Sequence, residues 1–193
     1  MHDPTTHTAA ARIRNFLKRE MHLPLIRLMH KVRGARYAHA PRKRAEELFR
    51  HDYGRPIDWT HPVEFSEKIR WIQFNTDISQ WSILADKLRA REYVAKKGCA
   101  DMLIHLYGHW EHASEIDFAS LPSSFVIKPN NGCADLAIVP DKEKAPLKKI
   151  AAQLGRSLKA TYGSYTAETH YAAIKPAIIA EALLEEPGGE GLS

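Results

Sequence analysis

A lysine closes the apolar run Phe125-Val126-Ile127-Lys128, and after Pro129 a short polar stretch with one glycine, Asn130-Asn131-Gly132-Cys133-Ala134-Asp135, leads into a second apolar run, Leu136-Ala137-Ile138-Val139. An ammonium at the end of a buried strand must meet an anion or bear the cost of desolvation. Backbone N–H groups of a glycine-containing loop between two strands can surround phosphate oxygens. The pattern asks for phosphate. A plain strand, turn and strand with a surface lysine would carry the same signature.

Two further groups fit that chemistry. Asp86-Lys87 opens a helical turn in Leu84-Ala85-Asp86-Lys87-Leu88-Arg89-Ala90-Arg91-Glu92-Tyr93-Val94, 41 residues before Lys128. Glu181 interrupts Ile178-Ile179-Ala180-Glu181-Ala182-Leu183-Leu184, 53 residues after it. A carboxylate inside an otherwise apolar strand needs a donor, and ribose hydroxyls or an ammonium would serve while the flanking backbone reads adenine. An edge-strand residue facing water is the other reading of Glu181.

The remaining chemistry-bearing types form no site by spacing. Among the 11 histidines no pair stands four apart on a helix with an acid between, and His105, His109 and His112 fall across a strand and a turn. Cys99 and Cys133 have no metal-ligand spacing, and no disulfide is expected between them. Trp59, Trp71, Trp81 and Trp110 read as core or interface anchors rather than platforms for bases.

The elements that must position these groups follow from periodicity. Residues 11–36 carry Ile13, Phe16, Leu17, Met21, Leu25, Leu28, Met29 and Val32 at mostly three- and four-residue steps among basic residues, an amphipathic helix interrupted near Pro24. Pro41 opens a second helix through Arg50, ended by Tyr53-Gly54-Arg55-Pro56, and a third spans about Val63 to Phe74. A fourth is expected as one piece, capped by Asp77 or Ser79 and closed by Gly98 after Lys96 and Lys97. From Met102 the pattern changes to four short strands, Leu103–Tyr107, Ser124–Lys128, Leu136–Val139 and Ala177–Leu184, with a lysine-rich helix Glu143–Lys159 between the last two. The order gives an α+β body with a largely antiparallel sheet. Lys128 is expected to end a strand paired antiparallel with Leu136–Val139, and the Glu181 strand to lie in the same half, facing the loop from Asn130 to Asp135.

Length and charge set the frame. The 193 residues, 44% hydrophobic, suit one globular domain with an appended arm. No run of eighteen apolar residues occurs, and Arg12, Arg14, Lys18, Arg19 and Glu20 stand where a signal peptide would need an apolar stretch, so a cytoplasmic setting is expected. Residues 1–55 hold 13 Lys/Arg against 5 Asp/Glu, and the rest 15 against 18. We therefore divide the chain into a basic helical arm, 1–55, and a body, 56–193. The arm asks for an anionic partner: a membrane surface or an acidic polysaccharide met by residues 12–36, which would hold the chain at the inner face of the membrane. Nucleic acid fits the charge but no recognised motif.

Taken together, Phe65-Ser66-Glu67-Lys68-Ile69-Arg70-Trp71, Ala85-Asp86-Lys87, Arg91-Glu92-Tyr93-Val94, Leu106-Tyr107-Gly108, Glu115-Ile116-Asp117-Phe118, Leu121-Pro122, Phe125-Val126-Ile127-Lys128 and the stretch from Tyr171 to Leu184 resemble the ATP-grasp superfamily. The similarity is to its teichuronopeptide-biosynthesis, TupA-like branch. The resemblance implies an ATP site between two α+β subdomains, and chemistry that forms an acylphosphate and passes the acyl group to an amine in cell-envelope polysaccharide assembly. Such proteins often sit beside glycosyltransferases. Carried over by position, Lys87 and Lys128 resemble the two phosphate-contacting lysines. Asn131, Gly132 and Cys133 occupy the loop over the phosphates, Glu181 resembles the hinge carboxylate, and Ala182, Leu183 and Leu184 line the adenine slot.

The departures are specific. Where the branch implies a loop closer to Asn-His-Gly-Ser-Gly, Asn131, Cys133 and Ala134 replace the His, the Ser and the second Gly, which makes a stiffer loop with one fewer phosphate donor. Thr169 stands where a tryptophan is expected. The family's acidic residues and asparagine that hold magnesium follow later in its sequence, and Glu185, Glu186 and Glu190 in their Pro/Gly-rich surroundings are no substitutes. The resemblance thus implies the front portion of an ATP-grasp fold, expected to hold ATP weakly and not to turn it over.

Overall fold

The computed structural model describes residues 39–132, 135–159 and 163–184; the amphipathic helix expected over 11–36 lies outside them. The described residues form an α+β fold with a partial ATP-grasp layout: four helices, then a four-stranded antiparallel sheet with one helix between its third and fourth strands.

Helix α1 (Pro41–Tyr53) starts on a proline, whose fixed φ suits the first turn, and stops at Gly54 in the left-handed region at φ 69°. It runs three residues beyond the expected Arg50 because Tyr53 still stacks on Phe49, with ring centroids 4.3 Å apart. Helix α2 (Phe65–Asn75) begins with a reciprocal cap between Glu64 and Glu67. Trp59 joins the two helices: its indole donates to Glu46 Oε1 at 2.8 Å, its ring meets Phe74 edge-on, and Arg42 lies over it. The helical layer reaches the body through Arg44, Arg70 and Gln73, which donate to the carbonyls of Tyr165, Thr166 and Ala167 respectively.

The single helix expected from Asp77 or Ser79 to Gly98 is two helices, α3 (Ser79–Ala85) and α4 (Arg89–Lys96). Asp86 causes the break. Its backbone is extended (φ −77°, ψ 107°), and its carboxylate accepts from the Leu88 and Arg89 amides at 2.9 and 3.4 Å, capping α4 from within what reads as continuous periodicity.

The sheet has the order β1-β4-β2-β3, from β1 (Leu106–Trp110), β2 (Phe125–Pro129), β3 (Ala137–Val139) and β4 (Ile178–Glu181). The first strand begins at Leu106 rather than Leu103, because residues 100–102 form a turn of 3₁₀-helix. The last ends at Glu181 rather than Leu184. As expected, β2 pairs antiparallel with β3; it also pairs antiparallel with β4, Lys128 lying opposite Ile179 and Val126 opposite Glu181. Strand β4 is internal, so the edge-strand reading of Glu181 does not hold.

Helix α5 (Leu147–Leu158) starts four residues later than expected because Pro146 cannot sit within a helix, and residues 142–144 form a 3₁₀ turn instead. Ile150 and Leu154 of α5 pack on Phe125, Ile127, Ala137, Val139, Ile178 and Ala180. At about 25 cal/mol per Å² of apolar surface removed from water, this layer holds the sheet together. Alternation then sends Val126, Lys128, Ile179 and Glu181 to the opposite face. Two of the candidate residues, Lys128 and Glu181, lie there.

Candidate functional site

Lys128 and Glu181 are diagonal neighbours on adjacent strands, a spacing that long side chains span. The Lys128 ammonium lies 2.5 Å from Glu181 Oε2. Glu181 is 6% exposed, and its other oxygen, Oε1, accepts from Arg91 Nη1 at 2.9 Å. Arg91 Nη2 donates to the Ile104 carbonyl at 2.5 Å, so the guanidinium bridges the body segment ahead of β1 and the carboxylate on β4. One buried carboxylate thus carries two cations. Removing it would leave two positive charges facing each other in a partly desolvated place.

Lys87 approaches from the break between α3 and α4. Its ammonium donates to the Gly132 carbonyl at 2.5 Å and lies 3.5 Å from the Asn130 carbonyl, while its own amide donates to that same Asn130 oxygen at 3.0 Å. Gly132 is at φ 89°, which only glycine adopts without steric cost, and this conformation sets the carbonyl toward Lys87. Lys87 therefore meets the loop that leaves β2, while the Lys128 side chain leans along β2 to Glu181, opposite Val126.

Asn130 fixes the loop's root. At 1% exposure, its amide donates to Asp86 Oδ1 at 2.9 Å and to the Lys175 carbonyl at 3.0 Å, and its side-chain oxygen accepts from the Ala177 amide at 2.7 Å. A side chain with three such bonds leaves little freedom at the point where the loop departs, while Asn131 and Gly132 beyond it are buried without regular structure. Asp86 thus caps α4 and anchors the loop at once.

Of the residues selected from sequence, Lys87 meets Gly132, Lys128 meets Glu181, Asn131 is buried in the loop beside Gly132, and Cys133 lies outside the described residues. Ala182, Leu183 and Leu184 continue directly from Glu181. The Ala182 amide donates to the His105 carbonyl at 2.9 Å, so the backbone there is held against the chain entering β1. Arg91, Asp86 and Asn130 were not selected as site residues. Only Asp86 left a signal, a helix-capping residue in mid-helix; the Arg91–Glu181 pairing spans 90 residues and has no local signature. Among the described residues no group of three or more His, Cys, Asp or Glu could hold a metal ion, and no helix is long and apolar enough to cross a membrane.

No curated protein and no solved structure matches this chain. The TupA-like ATP-grasp family matches residues 67–190, well over half of the sequence and the stretch that includes Lys87, Arg91, Lys128 and Glu181. The chain belongs to the TupA-like ATP-grasp family.

Proposed function

We propose that this site binds ATP, with Lys87 and Lys128 at the phosphates, Asn131, Gly132 and Cys133 over them, Glu181 as the hinge carboxylate, and Ala182, Leu183 and Leu184 beside the adenine. One observation carries the reading: Lys128 on β2 and Glu181 on β4 are joined at 2.5 Å, and the loop that leaves the same strand β2 is held by Lys87. An ammonium on a glycine-bearing loop and a second on the strand that leads into it suit a polyphosphate. The Lys87 contacts to the Asn130 and Gly132 carbonyls are ones that phosphate oxygens would replace, since a carbonyl dipole binds an ammonium less strongly than an anion does.

ATP in this family supplies the phosphoryl group that activates a carboxylate for attack by an amine. Lys87 and Lys128 would neutralise the phosphates, and the loop would exclude water above them. The family's chemistry uses magnesium with ATP, and among the described residues no group of three or more His, Cys, Asp or Glu could hold it. We read the substrates as a uronic-acid or polyglutamate carboxylate and an amine of cell-envelope polysaccharide assembly, alongside glycosyltransferases. The basic residues 12–36 would meet an anionic membrane surface or acidic polysaccharide at the cytoplasmic face. The arm of residues 1–55 and the body of 56–193 remain our division of labour between docking and nucleotide binding. With two lysines as the described cations at the phosphates, we expect binding without acceptor-dependent ADP release.

Calorimetric titration of the full chain with ATP tests the reading. Lys128→Ala should weaken binding about a hundredfold, equivalent to about 2.7 kcal/mol, with little change in melting temperature because Arg91 still holds Glu181. Equal affinity in wild type and Lys128→Ala would sink it.

A further inference from the structure

We propose that Arg91 is a positioning residue of the phosphate site: by taking one oxygen of Glu181, it keeps the charge of Lys128 available to an anion. The inference rests on the nucleotide reading above and assigns a role to a residue that contacts no expected ligand group.

The argument begins with charge. Glu181 and Lys128 alone would form a neutral pair, and a neutral pair attracts phosphate weakly. Arg91 turns it into a cluster of two cations on one carboxylate, with one positive charge in surplus. The oxygens are divided, Oε1 to Arg91 and Oε2 to Lys128, so Lys128 is held through a single oxygen. An ammonium has three N–H donors. Among the described residues, Glu181 is the one acceptor that Lys128 meets. Donors beyond that one, on a side chain 23% exposed at the end of β2, are therefore available to a ligand.

Geometry supports the same role. Arg91 is the less exposed of the two cations, at 17%, and is anchored at both ends of its fork, by Glu181 and by the Ile104 carbonyl. A guanidinium keeps its charge at any working pH, and its planar fork suits fixed bridging. Lys128 has the single flexible point charge. The division of labour follows: Arg91 is the fixed counter-charge, and Lys128 is the mobile contact. Helix α4 has no fully buried residue, and Arg91 is half-buried beside Ala90, Tyr93 and Val94.

The test is a set of titrations on the full chain in EDTA with three probes, ATP, inorganic tripolyphosphate and adenosine, adenosine being read by competition against a fluorescent ATP analogue. Arg91→Ala should weaken ATP and tripolyphosphate by about tenfold or more and leave adenosine within about twofold. Arg91→Lys, which restores the charge without the fork, should recover most of the tripolyphosphate affinity. If Arg91→Ala does not fold, Arg91→Gln removes the charge while keeping a polar side chain. Undiminished ATP and tripolyphosphate affinity in the variant would overturn the inference and leave the nucleotide reading intact. A parallel fall for all three probes that tracks melting temperature and is not recovered by Arg91→Lys would reduce Arg91 to a structural tie, again overturning it. Tripolyphosphate binding that depends on Arg91, with no binding of ATP or adenosine, would uphold the role of Arg91 and overturn the nucleotide reading. A wild type that binds none of the probes overturns both.

Discussion

Two buried carboxylates, Glu67 and Glu181, are satisfied in opposite ways. Glu67 of α2 is 1% exposed and accepts from Arg55 at 2.5 Å and from the backbone amides of Asp58, Val63 and Glu64 at 3.1 to 3.2 Å. Its charge is spread over one cation and three fixed dipoles, and both oxygens are committed to the loop before α2. Glu181 accepts no backbone amide among the described contacts and holds two cations instead. The first arrangement closes a loop; the second leaves positive charge over. Glu67, saturated by backbone groups, does structural work, whereas in our proposal the two cations that outnumber Glu181 serve an anion.

The comparison is tested most severely by removing the acids. Glu181→Ala leaves Arg91 and Lys128 facing each other without a counter-ion and should cost about 3–5 kcal/mol of stability, read from denaturant unfolding. A loss under about 1 kcal/mol would show that the two cations find water or other partners easily, and that the cluster is not under electrostatic load. Asn130→Ala comes next. It strips the Ala177 amide of its acceptor and Asp86 of a donor, for an expected about 1–3 kcal/mol, and should weaken ATP binding as well, because the root of the loop is freed. Unchanged affinity would mean that the loop's root does not set the site.

A pH titration separates the two acids. The hydrogen bond from Arg55, reinforced by the Glu64 amide, lowers the Glu67 pKa from 4.5 to about 2. A depressed carboxylate contributes stability that is present above its unfolded pKa and lost as pH falls through its folded one. Unfolding free energy should therefore decline between pH 4.5 and about 2, and Glu67→Gln should flatten that decline without altering ATP affinity at neutral pH. A slope unchanged in Glu67→Gln would remove Glu67 from the account of acid sensitivity.

The limits of the sequence explain which half of this contrast was legible. Lys128, its loop and Glu181 could be read because polar groups interrupting apolar runs violate a local pattern, and local patterns are what periodicity reports. The antiparallel pairing of β2 with β3 followed from a short loop between two apolar runs. The break at Asp86 was hidden, since a capping side chain turned back on its own amides leaves the apolar spacing on either side intact. Asn130 looked like one more loop asparagine. Its three bonds join segments more than 40 residues apart, and Arg91 meets Glu181 across 90, so their roles exist only once the sheet and α4 are in place. Glu67 entered only as part of a family-like string, although its place three residues after Glu64 at a helix start was a readable cap.

The central claim is that the surplus charge at Glu181, and not the saturated acid at Glu67, marks the ligand site. Hydrogen–deuterium exchange of the full chain with and without saturating ATP compares the two places in one experiment. The account predicts slower exchange for the amides of residues 128, 130–132 and 182–184 when ATP is bound, and no change for the Asp58, Val63 and Glu64 amides that already serve Glu67. Unaltered exchange at the loop and after β4, or protection appearing around residues 58–67 instead, would contradict it.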